Sequence, residues 1–249
     1  MNTRDWHRRD LVVLGAMVML LSLPGSAQQE VKGQEAEQSY GFVSIFDGKS
    51  LTGWRALPED SASDWSVNDG VIVGQGSADR LSYLVFQEEA LSDFELKLRY
   101  RMKTKGNTGV EVRARIDTTG KRPLEGYHAD LGHVGIGPQI LGAWDFHFAK
   151  RKEHPCHRGM RLVIDKNQRG QQSKIPDAIT LADIKKGDWN EVHIVARGGE
   201  LKFSINGKRA AEFVDNYGDY LKKGAIGLQI HDKGMVVEFK DLKLKRVGE

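Results

Sequence analysis

Hydrophobic positions recur at every second residue over most of this chain. Phe94, Leu96, Leu98, Tyr100 and Met102 alternate with Glu95, Lys97, Arg99 and Arg101, the pattern of a strand with one buried and one solvated face. Asn107-Thr108-Gly109 turns the chain into a second such run, in which Val110, Val112, Ala114 and Ile116 oppose Glu111, Arg113 and Arg115. The same pattern predicts strands over 189–196, 201–205, 225–231 and 235–244, and a hairpin of 65–67 with 71–73 around Asn68-Asp69-Gly70. Asn206-Gly207 is a further two-residue hairpin signal. No stretch of ordinary helical length carries a 3.6-residue period, although 179–186 predicts one short helix. Many short strands at even spacing predict an all-β fold, two antiparallel sheets packed as a sandwich or jelly roll. Residues 132–172 break the pattern: they are irregular, rich in His and Arg and long for a connection. That predicts a functional loop, and its Trp144, Phe146 and Phe148 predict packing against something.

Composition narrows the classes. Among 249 residues, 28 Gly make about 11%, above the usual ~7% and without a collagen repeat, which fits a turn-rich chain. A single Cys excludes an intramolecular disulfide framework and any multi-Cys metal site. With 37 Lys+Arg against 34 Asp+Glu, evenly spread, no nucleic-acid partner is expected. The start of the chain changes the picture more. Arg4, Arg8 and Arg9 precede an apolar run over 11–23, and Pro24-Gly25-Ser26-Ala27 follows it, the layout of a secretory signal cleaved after Ala27. That run rises only about 20 Å as a helix, short of a ~30 Å hydrocarbon core, so no stable membrane span is expected after cleavage. Losing 1–27 removes three Arg and two Asp and lowers the net charge from +3 to +2. The expected organisation is a signal peptide over 1–27, a polar flexible leader over 28–40 and one β-sandwich domain over 41–249, with a periplasmic or extracellular destination.

Candidate chemistry sits on the polar strand faces. Glu111 and Arg113 share one face, His128 and Asp130 another, Gln229 and His231 a third. A carboxylate, a guanidinium, an amide and imidazoles suit a polyhydroxylated ligand, whose hydroxyls both donate and accept. His133, His147, His154 and His157 cluster with Cys156, but His154-Pro-Cys-His157 has no standard zinc spacing. Nothing fixes a base beside Cys156, so it is expected to be a buried or unpaired thiol rather than a nucleophile. No nucleophile elbow, Walker loop or dinucleotide fingerprint occurs.

A family resemblance adds to these readings. Residues 42–54, Phe-Val-Ser-Ile-Phe-Asp-Gly-Lys-Ser-Leu-Thr-Gly-Trp, resemble the opening motif of the 3-keto-disaccharide hydrolase family, and Trp65-Ser-Val-Asn-Asp-Gly-Val-Ile-Val-Gly74 resembles its second block. Asp93-Phe-Glu-Leu-Lys-Leu98, Asn107-Thr-Gly-Val-Glu-Val-Arg113, Gly126-Tyr127, Asp188-Trp-Asn-Glu191, Ile205-Asn-Gly207 and Ile226-Gly-Leu-Gln-Ile-His231 follow in the family's order, so the resemblance spans 42–247. Where many members carry Glu or Gln after the Gly-Tyr pair, this chain has His128. The resemblance implies a concanavalin A-like sandwich, export, and cleavage of glycosidic bonds in sugars already oxidised at C3, with a small oligosaccharide or glycoside as substrate. A C3 ketone acidifies the C2 proton, so a base can remove it, the C1 oxygen can leave, and water can then add. Asp130 or Glu111 is the expected base, His231 the acid and Arg113 the enolate or hydroxyl clamp. Asn107, Tyr127, His128, Trp144 and Gln229 are the expected substrate-binding residues. A divalent cation held by His128 and His231 is the candidate cofactor. The competing class is a lectin-like module that binds glycans without cutting them.

Overall fold

The alternation of residues 94–102 becomes a strand at the centre of the larger sheet, with Phe94, Leu96, Leu98, Tyr100 and Met102 buried and the charged residues between them more exposed. The protein is described from a computed structural model, whose described residues are 41–132, 139–147, 151 and 154–248; the predicted signal and leader lie outside them. Residues 41–249 form one compact unit. In chain order its strands are β1 (Val43–Ser44), β2 (Trp54–Leu57), β3 (Trp65–Asn68), β4 (Val71–Gln75), β5 (Ser82–Leu91), β6 (Phe94–Met102), β7 (Gly109–Ile116) and β8 (Leu124–Asp130). They continue as β9 (Trp144–His147), β10 (Met160–Ile164), β11 (Gly170–Lys174), β12 (Asn190–Arg197), β13 (Glu200–Ile205), β14 (Lys208–Asp215), β15 (Gly224–Ile230) and β16 (Val236–Arg246).

Two sheets result, as the period-two pattern predicts. Sheet A has the order β11-β10-β14-β13-β12-β6-β16-β4-β3, with β1 on β16; sheet B has the order β2-β5-β15-β7-β8-β9. The ladders are antiparallel apart from β10 beside β14. The turn residues act as read: Asp69 and Gly70, and Asn206 and Gly207, all take positive φ, which a two-residue hairpin requires. One core between the sheets collects Trp54, Leu84, Val110, Val112, Ile226, Leu228 and Ile230 from sheet B, and Leu96, Leu98, Ile194, Phe203 and Phe239 from sheet A.

Two expectations need correction. Residues 132–172 are not one irregular loop. β9, β10 and the start of β11 lie within them, and Trp144 and Phe146 are buried core residues. Strands of four and five residues are too short to show a clear period. The helix expected over 179–186 is only a 3-10 turn at Leu181–Asp183, held by a capping box between Thr180 and Asp183. Cys156 is buried and unpaired, as expected; burial pushes its thiol up to about 12.

Leu96 is fully buried in β6. Replacing it with Ala is expected to cost about 2–5 kcal/mol through lost apolar contact and a residual cavity. Urea denaturation checks this; a loss below ~0.5 kcal/mol would contradict its central place.

Candidate active site

The outer face of sheet B collects four buried polar side chains, Glu111, His128, Asp130 and Gln229. Antiparallel register aligns one transverse row across all six strands: Arg55 lies opposite Val85, Val85 opposite Gly227, Gly227 opposite Glu111, Glu111 opposite His128, and His128 opposite Asp145. The next outward positions carry Asp130 on β8 and Gln229 on β15, because successive residues on one strand face are two apart. Their inward neighbours Val110, Val112, Ala129 and Leu228 fill the core, and that packing fixes which face the polar residues take.

At the centre lies an imidazole between two carboxylates. His128 Nδ1 stands 2.9 Å from Glu111 Oε2, and His128 Nε2 stands 3.5 Å from Asp130 Oδ1. All three are buried, Glu111 completely. Burial opposes the charged ring, but its bonds to Asp130 and Glu111 outweigh that and hold His128 up at about 10. It is therefore an imidazolium at neutral pH. Two strand glycines make room for the cluster. A Cβ on Gly109 would collide with the His128 ring, and one on Gly126 would lie 2.8 Å from Glu111 Oε1. The requirement at both is space, since neither has a positive φ.

This geometry sets a pH dependence. The folded pKa of about 10 lies above the ordinary imidazole value of 6.5. The stabilisation is therefore fully present below pH ~6.5 and is lost progressively as pH rises through about 10. Thermal melts from pH 6 to 10, with NMR of the ring nitrogens, measure it. A His128 ring titrating near its ordinary value would show that the carboxylates do not hold it charged.

Beside the row opens a cavity of about 500 Å³, within the size range of small-molecule sites. Val85, Ala114, Leu124 and Ala225 form its apolar floor, and Arg55, Arg115, Tyr220, Lys222 and Lys223 stand around it. Tyr83, in the same small apolar cluster, accepts a hydrogen bond from Gln229 Nε2 at 3.1 Å.

The expected site residues divide. Glu111, His128, Asp130 and Gln229 share the outer face. His231 continues β15 at its rim, exposed, with Nδ1 2.8 Å from Asp232 Oδ1; Asp232 Oδ2 also accepts the Asn107 backbone N–H at 2.6 Å, so Asn107 belongs to the same end. Only β7 separates β8 from β15, which sets Asp130 and His231 on the order of 10 Å apart.

Arg113 does not join them. A β-bulge interrupts the pairing of β7 with β8 between Val112 and Arg115, and Arg113 takes a φ of 50°. The extra residue shifts the facing of the strand. Ala114 consequently joins the outer apolar cluster, and Arg113 is fully buried, bonded to the carbonyls of Ser92, Gly198 and Leu221 and to Asp93. It lies beside the Gly224 end of β15, about 20 Å along the strand from His231.

Tyr127 and Trp144 also point the other way. The Tyr127 hydroxyl donates to Asp215 Oδ2 at 2.9 Å inside the sandwich, and Trp144 meets Phe203 edge-on at 5.8 Å; both are buried among core side chains. As for a cation, both ring nitrogens of His128 already face carboxylates, and His231 stands at the rim of β15, two strands from β8, with Nδ1 on Asp232 Oδ1. Among the described residues no group of three or more His, Cys, Asp or Glu is placed to hold a metal ion. The donor set found here does not fit a shared His128–His231 cation. Sequence reasoning missed Arg55 and Tyr220. Arg55 follows the inward Trp54 and so has the outward parity, a signal that was available; Tyr220 lies on a connection with no periodicity.

Comparison with known proteins agrees with the sandwich fold and supplies the family. A family model described as a 3-keto-alpha-glucoside-1,2-lyase-like domain matches residues 41–245. A 3-keto-disaccharide hydrolase of Bacteroides thetaiotaomicron is 24% identical over 218 residues, 76% of this chain and 70% of the relative. A crystal structure of a candidate glycosyl hydrolase from Parabacteroides distasonis superposes with a TM-score of 0.59 at 22% identity, covering 86% of this chain and 97% of that one. The carbohydrate-binding module CBM66 of Bacillus subtilis superposes with a TM-score of 0.50 at 16% identity, over 78% of this chain and 95% of the module.

Proposed function

The chain belongs to the 3-keto-alpha-glucoside-1,2-lyase-like domain family, and on that premise we propose that it cleaves glycosidic bonds of 3-keto-glycosides by elimination across C1 and C2 followed by hydration. The observation that carries the proposal is the Glu111–His128–Asp130 cluster on the outer face of sheet B; the cavity meets the same row at Arg55 and Val85. The ketone makes the C2–H bond acidic; Glu111 or Asp130 takes that proton, and the electron pair passes into the enolate. His128 keeps its own proton and supplies fixed positive charge beside the developing negative charge, the role the sequence suggests for Arg113. The enolate then expels the C1 oxygen, which takes a proton from His231 at the rim. Water adding across the resulting double bond completes net hydrolysis. The B. thetaiotaomicron relative, named a 3-keto-disaccharide hydrolase, supports the substrate class.

The test is a panel of 3-keto-glycosides incubated with the protein in D2O, with and without chelator. Cleavage with deuterium entering at C2 is the expected result. Tight binding without turnover would favour the glycan-binding reading, which the likeness to CBM66 supports. Turnover abolished by chelator would return His128 to metal ligation and remove it as a fixed cation.

We also propose export, with the mature chain beginning at Gln28. Edman sequencing of protein recovered from the native host should read Gln-Gln-Glu-Val; an intact Met1 in the soluble fraction would overturn this.

A further inference from the structure

A second cavity, of about 260 Å³, opens at the end of β6 away from the row just described. Its walls come from the turn after β6, the loop that follows the 3-10 turn, and Gly132 beyond β8. Tyr100 and Met102 belong to the inner face of sheet A, so this cavity lies at the mouth between the two sheets, whereas the candidate active site lies on the outer side of sheet B.

Three observations at this cavity point to a ligand. Tyr100 lines it, and its hydroxyl is buried without a hydrogen-bond partner, though a buried hydroxyl normally finds one. Burial pushes its pKa up, so it is a donor and not a phenolate. The other buried polar side chain there, Asn190, is already used: its amide donates to the carbonyls of Lys185 and Asp188 and its oxygen accepts from Lys185 N. Lys103, Lys105, Lys185 and Lys186 surround the opening, with no acidic residue among the described lining residues. Finally, Met102 and Ile184 supply an apolar wall.

We propose that this cavity binds a single anionic sugar ring, its acid group held by the lysines, one oxygen accepting from the Tyr100 hydroxyl and its C–H face against Met102 and Ile184. The volume is below the ~300–1,000 Å³ of drug-sized pockets, which fits one ring and not two. A hydroxyl donor inside and ammonium groups outside select an oxyanion, whether the carboxylate of a uronate or the phosphate of a sugar phosphate. This site is independent of the elimination chemistry and stands or falls without it.

The experiment is calorimetric titration of the full chain with glucuronate, glucose 6-phosphate, neutral glucose and inorganic phosphate, at low and at high salt. One or both of the anionic sugars should bind, more weakly as salt rises, with neutral glucose and inorganic phosphate at least tenfold weaker. The two sugars distinguish a carboxylate from a phosphate ligand. Tyr100→Phe keeps the ring in the core and removes only the hydroxyl, so it should weaken binding about tenfold with an unchanged or raised melting temperature. Lys103→Ala with Lys185→Ala should weaken it further and flatten the salt dependence. No binding by any probe would overturn the proposal. Binding of inorganic phosphate as tight as the sugars, or binding indifferent to Tyr100→Phe, would reduce the site to a lysine surface and overturn it equally.

Discussion

Glu111→Gln should lower turnover of a 3-keto-glycoside by about 10²-fold or more while the protein stays folded. The amide has almost the shape of the carboxylate, so the position between Gly126 and the His128 ring remains filled. What changes is charge. His128 loses one of the two carboxylates that hold it protonated, its pKa should fall from about 10 towards its ordinary range, and the proton acceptor at Glu111 is gone. Asp130→Asn removes the other carboxylate, 3.5 Å from Nε2, and comparing the two variants identifies the base. The one that takes the C2 proton should abolish deuterium exchange at C2; the other should leave exchange measurable while shifting the pH profile. Gly109→Ala is a control of a different kind, because it removes no titratable group and forces the His128 ring and the Ala129 carbonyl to move. It should also cost activity if ring position matters. Full turnover in both Glu111→Gln and Asp130→Asn would remove the cluster from the chemistry.

Most of the sandwich was legible because side-chain direction along a strand follows a period of two. His128, Asp130 and Gln229 were placed on an outward face by parity alone, and the structure keeps them there. The same logic misplaced Arg113 for a physical reason. Val-Glu-Val-Arg-Ala-Arg-Ile alternates perfectly from 110 to 116, so nothing local announces a bulge. The neighbouring strand accommodates it, since a Cβ on Gly224 would collide with the backbone of Arg113 and Ala114. Parity also shows that Tyr127 and Trp144 cannot share a face with His128 and Asp145. Tyr127 precedes His128 in β8, and Trp144 precedes Asp145 in β9. Aromatic side chains that look like sugar platforms in a His-rich segment are core residues here. The cavity beside the row was not legible at all, because the connection over 218–223 meets sheet B only in the fold.

Arg113→Met should destabilise the protein by about 3–5 kcal/mol, with little change in activity per folded molecule. The guanidinium is fully buried, and its donors tie three connections together: Nε to Ser92 O at 2.9 Å, Nη1 to Gly198 O at 2.5 Å and Leu221 O at 3.2 Å, and Nη2 to Asp93 Oδ1 at 3.0 Å. Ser92 and Asp93 join β5 to β6, Gly198 joins β12 to β13, and Leu221 precedes β15. One side chain from sheet B thus holds connections belonging to both sheets. Burial pulls its pKa down, and the charge of Asp93 opposes that shift, so the pair stays ionic. Methionine fills similar apolar volume but offers no donor. Three carbonyls lose their partner at a cost of about 1–3 kcal/mol for each that water cannot reach, and breaking a buried ion pair alone costs about 3–5 kcal/mol. Part of that is recovered, because the Asp93 side chain is 38% exposed and keeps the Gly198 backbone N–H at 2.9 Å. Denaturant titration reads the loss, and turnover on 3-keto-glycosides, corrected for the folded fraction, reads the site. Stability reduced with activity intact makes Arg113 a strut of the fold. A stable Arg113→Met protein without activity would return the guanidinium to the substrate and require a sheet B in which β7 carries no bulge.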